Sequence, residues 1–259
     1  MAALLTPMTK ESAPTTKSTL LKDGKAEASP LTIVIQGRSL KTTPIFNMFW
    51  RYTAERFLVE VKRRAGEPQP WTCDPILQSH KFCSVFRVAD KGSQFLITDI
   101  IQKGSQNHED IVFRVLLYNI FTRIETYNLL EEQLGPLTWE SYDRSQFEKV
   151  LQRAMDTGIT IYTGAFQKPA PSLGHITAFR NHLVLLEVMM GVDFPQKLAK
   201  CKHMRDAFDL VNEFPGMGDF MAFQLLLDLL YTPVINFNEN DFVIAGVGAR
   251  KGIEKCFKG

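Results

Sequence analysis

Cysteine is scarce and scattered in this chain: Cys73, Cys83, Cys201 and Cys256 stand at unrelated spacings, and none forms the close Cys/His pair that a structural zinc site or an iron–sulfur loop needs. Four cysteines in 259 residues are also too few for a secreted scaffold held by disulfides. An intracellular protein with reduced thiols is expected, nuclear if eukaryotic. No apolar run approaches the roughly 20 residues that span a bilayer, and no signal-peptide apolar core precedes the polar N-terminus, so no membrane partner is expected. Net charge is equally sparse. With 30 Lys+Arg against 28 Asp+Glu, the total of +2 excludes a protein that coats nucleic acid everywhere, and any such contact must come from a local patch. The absence of a repeat of about 20–50 residues and of heptads removes solenoids and coiled coils. The Gly-x4-Gly-Lys-Ser/Thr order of an ATP-holding loop is missing too, and neither a cofactor nor a metal is expected.

What is present is 45% hydrophobic sequence, enough for one sizeable core or two abutting helical lobes. Residues 1–30 are rich in Ser, Thr, Pro, Lys, Ala and Glu without an apolar period and read as a disordered tail. Leu31 to Thr43 reads as a short extended segment. Pro44 then offers a first-turn proline for a helix through Val61, ending near Gly66-Glu67-Pro68 with Lys62-Arg63-Arg64 at its close, read as a solvated basic end with an extension of a DNA footprint as the alternative. Asp74-Pro75 reads as an N-cap followed by a proline at the first helical position. Asp110 to Tyr127 is apolar nearly all round, which suggests a single central helix. Further helices are expected over Arg144–Asp156 and His175–Met190, so 31–259 reads as an all-α domain.

The most informative stretch runs from Met204 to Leu229. One helix, with Phe208 and Val211 inward, breaks at Phe214-Pro215-Gly216-Met217-Gly218, and a second apolar helix starts directly after Gly218. Glycines permit positive φ and close approach, while the first amides of the second helix lack partners and carry the positive end of its dipole. Such a turn suits a phosphate oxygen of a DNA strand without any base being read. A plain helical hairpin with a glycine-rich turn is the bland alternative. Asp219 argues against an anion there unless its carboxylate points away or caps the helix.

The run Pro70-Trp71-Thr72-Cys73-Asp74-Pro75-Ile76-Leu77-Gln78-Ser79-His80-Lys81-Phe82-Cys83-Ser84-Val85-Phe86-Arg87-Val88-Ala89-Asp90 resembles the signature of the 5-hydroxymethyluracil DNA kinase helical domain. So does Asn240-Asp241-Phe242-Val243-Ile244-Ala245-Gly246-Val247-Gly248-Ala249-Arg250-Lys251-Gly252-Ile253. This group, also called the alpha-glutamyl/putrescinyl thymine pyrophosphorylase clade, is placed in the helix-hairpin-helix DNA glycosylase superfamily. The likeness extends from about Phe46 to the C-terminus. It implies a helix-hairpin-helix glycosylase-like domain, action on a 5-substituted pyrimidine in DNA, and a domain that continues past Gly259, so that this chain is truncated at its C-terminus.

The resemblance also implies site residues. Superfamily glycosylases place a catalytic aspartate shortly after the hairpin, and Asp241 matches it; a carboxylate there stabilises developing positive charge on a sugar or accepts a proton. An N-cap or Asx-turn role for Asn240 or Asp241 at the start of the final helix is the rival account. Phe220 stands where the attacking lysine of bifunctional glycosylases would be, so no Schiff-base chemistry is expected from that position. Gly246, Gly248, Arg250 and Lys251 join Pro215, Gly216, Met217 and Gly218 as expected DNA contacts, because a flexible backbone beside two cations can hold a second phosphate. Lys81, Arg87, Asp90 and Asn240 are expected to line the pocket, although Arg87 and Asp90 at helical spacing read more simply as a surface ion pair. His175, His182 and His203 read as structural. The resulting expectation is a monomeric DNA-binding helical domain that processes 5-hydroxymethyluracil or a phosphorylated derivative in DNA. A glycosylase excising a modified base and a non-catalytic DNA-binding remnant are the alternatives.

Overall fold

The computed structural model describes residues 31–164 and 168–258; the expected tail over 1–30 lies outside the described residues. The extended segment is a hairpin of β1 (Thr32–Ile35) and β2 (Arg38–Thr42). Gln36 and Gly37 join them with φ of 49° and 77°, the two positive values a tight two-residue turn needs to follow strand twist. A third strand, β3 (Phe257–Lys258), pairs antiparallel with β2 through Lys41↔Lys258 and Thr42↔Phe257. The sequence reading did not foresee this small sheet. Its effect is to fasten the end of the domain to its start: the Thr43 amide donates to the Cys256 carbonyl at 2.8 Å, and Phe46 packs against Phe257 with ring centroids 5.6 Å apart.

Helix α1 (Pro44–Arg64) begins on the proline and ends on three cations, which complement the carbonyl end of its dipole. Arg64 pairs with the buried Glu60 at 2.8 Å, and Lys62 donates to the Trp71 carbonyl at 3.0 Å. Helix α2 (Pro75–Ser79) starts as expected, with the Asp74 carboxylate accepting from the amides of Ile76 and Leu77. After a 3-10 turn at Arg87–Ala89 come α3 (Lys91–Phe95) and a π-helical turn at Leu96–Ile101.

The centre of the core is α4 (His108–Phe121), in which every residue from Asp110 to Phe121 is buried. Here the expected single helix to Tyr127 is corrected. Thr122 adopts the left-handed conformation at φ 47°, its amide closing on the Tyr118 carbonyl at 2.7 Å, and α5 (Ile124–Leu134) starts in a new direction. The break leaves no mark in the apolar pattern because Ile124 and Tyr127 carry the run of α4 past Thr122 and Arg123, and neither glycine nor proline stands at the turn. Around α4 lie α6 (Arg144–Asp156), α7 (Ala178–Gly191), α8 (Phe194–Lys200), α9 (Met204–Asn212) and α10 (Asp219–Leu229). The last helix, α11 (Val247–Cys256), rests on α1 beside the sheet. Among the described residues no helix is long and apolar enough to cross a membrane.

Candidate nucleic-acid interface

The hairpin turn follows from four residues. The Met217 amide donates to the Phe214 carbonyl at 3.0 Å, with Pro215 and Gly216 between them and Gly216 at φ +77°. Proline followed by a positive-φ glycine is the pairing that a type II turn requires. An added Cβ at Gly216 would also meet the Pro171 Cβ at 3.2 Å, so glycine is needed there for both conformation and space. Phe214 packs edge-on against Phe194 and Met217 is buried, which anchors the turn from below, whereas Pro215, Gly216 and Gly218 are exposed.

Gly218 is the N-cap of α10 and has no side chain to satisfy the first amides of the helix. Gly246 stands in the same position at the start of α11, likewise without a side-chain cap. The two helix starts are neighbours: a Cβ on Gly246 would lie 3.2 Å from the Phe220 ring in the first turn of α10. This contact explains the glycine at 246 by close approach. Asp219 is turned back toward α9, where its carboxylate accepts from Asn212 Nδ2 at 3.4 Å. Arg250 Nε donates to the Ala245 carbonyl at 3.0 Å, and Gly248 and Lys251 are exposed on the first turns of α11.

The segment before α11 is pinned along the hairpin by Phe242, whose ring lies 4.9 Å from Phe208 and 6.2 Å from Phe223. Asp241, next to it, is exposed, and its amide donates to the Asn238 carbonyl at 3.0 Å. The turn former is Asn238, whose side-chain oxygen accepts from the Asn240 amide at 2.9 Å; the cap of α11 is Gly246. Neither Asn240 nor Asp241 therefore caps the final helix.

Behind the turn sits a cavity of about 20 Å³, room for one water, bounded by Gly216, Met217, Asn119, Lys168 and His182. Asp241 does not line it. Lys168 donates to Asn119 Oδ1, and Asn119 Nδ2 donates to Asp228 Oδ2. Asp228 Oδ1 accepts from Arg87 at 2.8 Å, and Arg87 also donates to Gln224 on α10. Burial lowers the Lys168 ammonium to a pKa of about 7, with Asp228 opposing that fall and Arg87 adding to it. Burial, with the nearby Lys168 charge, lowers His182 to about 4; its ring nitrogen meets the Tyr162 hydroxyl at 2.8 Å. In Arg87, desolvation is outweighed by Asp228 and the pKa is raised.

The simple account of Arg87 and Asp90 as a surface pair is thus corrected. The 3-10 turn sends Arg87 inward to Asp228, while Asp90 accepts from the Ser84 amide at 2.7 Å. Lys81 is exposed and borders a separate cleft beside α1. Asn119, Lys168 and Asp228 were not singled out in the sequence: their partners come from other elements, and Asn119 and Asp228 share their helices with further polar residues, Arg114 and Gln224. Among the described residues no group of three or more His, Cys, Asp or Glu side chains is placed to hold a metal ion.

Comparison with known proteins places these features in a family. A family model described as 5-hmdU DNA kinase, helical domain, matches residues 43–259. The chain is 22% identical over 234 residues to a 5-hmdU DNA kinase of Bacillus phage SP10, an alignment that takes in 83% of this chain and 36% of the phage protein. The chain thus spans little more than a third of that relative's length. No solved structure matches it.

Proposed function

The chain belongs to the 5-hmdU DNA kinase helical-domain family, and from that premise we propose that it grips DNA for modification of a 5-substituted pyrimidine, 5-hydroxymethyluracil or its phosphorylated form. The observation that carries this reading is the exposed Pro-Gly turn with two uncapped, glycine-led helix starts side by side. The first-turn amides and dipole ends of two neighbouring helices then lack a side-chain cap, and the one carboxylate in those turns, Asp219, is drawn toward Asn212 on α9. A phosphodiester oxygen supplies the missing acceptors and the complementary charge. Lys251, exposed on α11, and the guanidinium of Arg250 extend the cationic field.

Asp241 is the candidate acid for chemistry on an extruded base, since it is exposed beside a segment fixed by Phe242. In this reading the chain holds and presents the DNA while Asp241 serves the base chemistry. Fluorescence anisotropy with duplexes containing 5-hydroxymethyluracil tests the grip: Lys251→Glu should weaken binding several-fold. Mass spectrometry of the bases after incubation, with phosphorylated or unphosphorylated 5-hydroxymethyluracil and with or without an amine, tests the chemistry. An altered base lost in Asp241→Asn supports the role given to Asp241. Release of free base selects a glycosylase instead, and unchanged bases in every mixture leave a binding domain only.

A further inference from the structure

A second cavity, far roomier than the one behind the hairpin turn, lies elsewhere on the molecule. It is a cleft of about 700 Å³ between α1 and the loop that carries α2, bordered by Arg56, Arg63, Trp71, Gln78, Lys81 and Phe82. We infer that this cleft is a nucleotide site, taking an aromatic base between its aromatic walls and the attached phosphate on Arg63 and Lys81.

Size permits it, because clefts of roughly 300–1,000 Å³ seat small ligands. The wall is built before any ligand arrives. Trp71 is held at both ends, its Nε1 donating to the Glu67 carbonyl at 2.7 Å and its own carbonyl accepting from Lys62 at 3.0 Å. Thr72 donates to Glu55 at 2.6 Å and accepts Gln78 Nε2 on its carbonyl at 2.6 Å, tying the loop to α1. The Arg56 guanidinium lies 5.6 Å from the Phe82 ring centroid and donates to the Cys83 carbonyl. Its Nε is buried with no acceptor among the described residues, a donor whose desolvation nothing offsets.

Charge then selects the ligand. Glu60, the carboxylate among the lining residues, is taken by Arg64, and the carboxylates bonded to other lining residues are occupied too: Glu55 accepts from Thr72, Asp74 from Leu77 and Asp90 from Ser84. Arg63 and Lys81 have no acidic partner among the described residues and are exposed at the rim. Aromatic faces with unneutralised cations match a base with its phosphate, the combination that single-strand and extruded-base sites use. The ligand can come as a free nucleotide or as a nucleotide within a single strand, and both offer the same chemistry.

This inference is independent of the DNA grip at the hairpin. The test is calorimetric binding of free dTMP and of a short oligothymidylate to the full chain, with quenching of tryptophan fluorescence followed in parallel. Arg63→Glu and Lys81→Glu are surface changes, and unchanged melting temperatures will establish that both variants fold. Each should weaken binding of whichever probe binds by about tenfold or more, as expected for loss of a charge-assisted phosphate contact. Lys149→Glu, an exposed charge reversal on α6, which borders neither the cleft nor the hairpin turn, should leave binding of that probe at the wild-type value, which separates a contact in the cleft from a general loss of positive charge. Binding of dTMP identifies the free nucleotide as ligand, and binding of the oligonucleotide alone identifies a strand. Wild-type affinity in both rim variants, or no binding of either probe at millimolar concentration, overturns the proposal.

Discussion

Asp228 sits at 5% exposure near the C-terminal end of α10, and its charge is tolerated because three elements supply donors to it or to its partners. Arg87 comes from the 3-10 turn, Asn119 from α4, and Lys168 reaches Asn119 from the loop before α7. Removing one partner of a buried pair leaves an uncompensated charge, at a cost of about 3–5 kcal/mol when fully enclosed. Arg87 is partly open and Asp228 keeps Asn119, so Arg87→Ala is expected to cost about 2 kcal/mol, seen as a fall of roughly 4–8 °C in melting temperature. Lys168 and His182 predict a pH dependence. Both have folded-state pKa values below their ordinary ones, so the folded chain binds fewer protons and stability rises with pH across each interval. Melting temperatures should climb between pH 4 and 6.5 through His182 and again between pH 7 and 10.5 through Lys168. Lys168→Met should flatten the upper limb and shrink the lower one only by the share that the Lys168 charge contributes to it; an unchanged upper limb contradicts the buried ammonium. None of this network was legible beforehand. Helical spacing offers Arg87 a partner three residues away, while its real partner lies in a helix that only the tertiary fold brings near.

At the scale of elements, the hairpin was readable because its chemistry is local. Pro215 sets φ for one turn position, Gly216 supplies the positive φ of the next, and Gly218 ends in an extended cap, all within five consecutive residues. The α4–α5 break was not readable, since a left-handed Thr122 leaves no residue signature and the apolar run continues past it at Ile124 and Tyr127. Strand β3 was hidden for another reason, its partner β2 being at the far end of the sequence. The caps make an opposed pair of effects available. A Cβ at Gly218 meets nothing within 4 Å and its φ is −68°, so Gly218→Asp fits the backbone and provides the missing N-cap carboxylate. Melting temperature should be unchanged or raised by about 1 °C, a gain of a few tenths of a kcal/mol. At Gly246, where Phe220 already occupies the space, the same replacement should destabilise.

For the whole molecule, the nearly balanced charge of +2 means that the proposed affinity for DNA must rest on one surface and not on a general field. Binding should therefore weaken with salt only as far as a small footprint dictates, with a logarithmic slope corresponding to roughly 2–4 released counterions. A much steeper slope in an anisotropy titration would place DNA across a wider surface than the two helix starts. The sheet that joins β3 to β2 keeps α11 beside α1 and holds the second of those starts in place. The most direct measurement is the affinity of Gly218→Asp for a 5-hydroxymethyluracil duplex at fixed salt, alongside its melting temperature. The account predicts at least a tenfold loss of affinity in a protein as stable as the wild type, because the new carboxylate takes the amides that the phosphate needs and repels it. Wild-type affinity in a folded Gly218→Asp protein would contradict it.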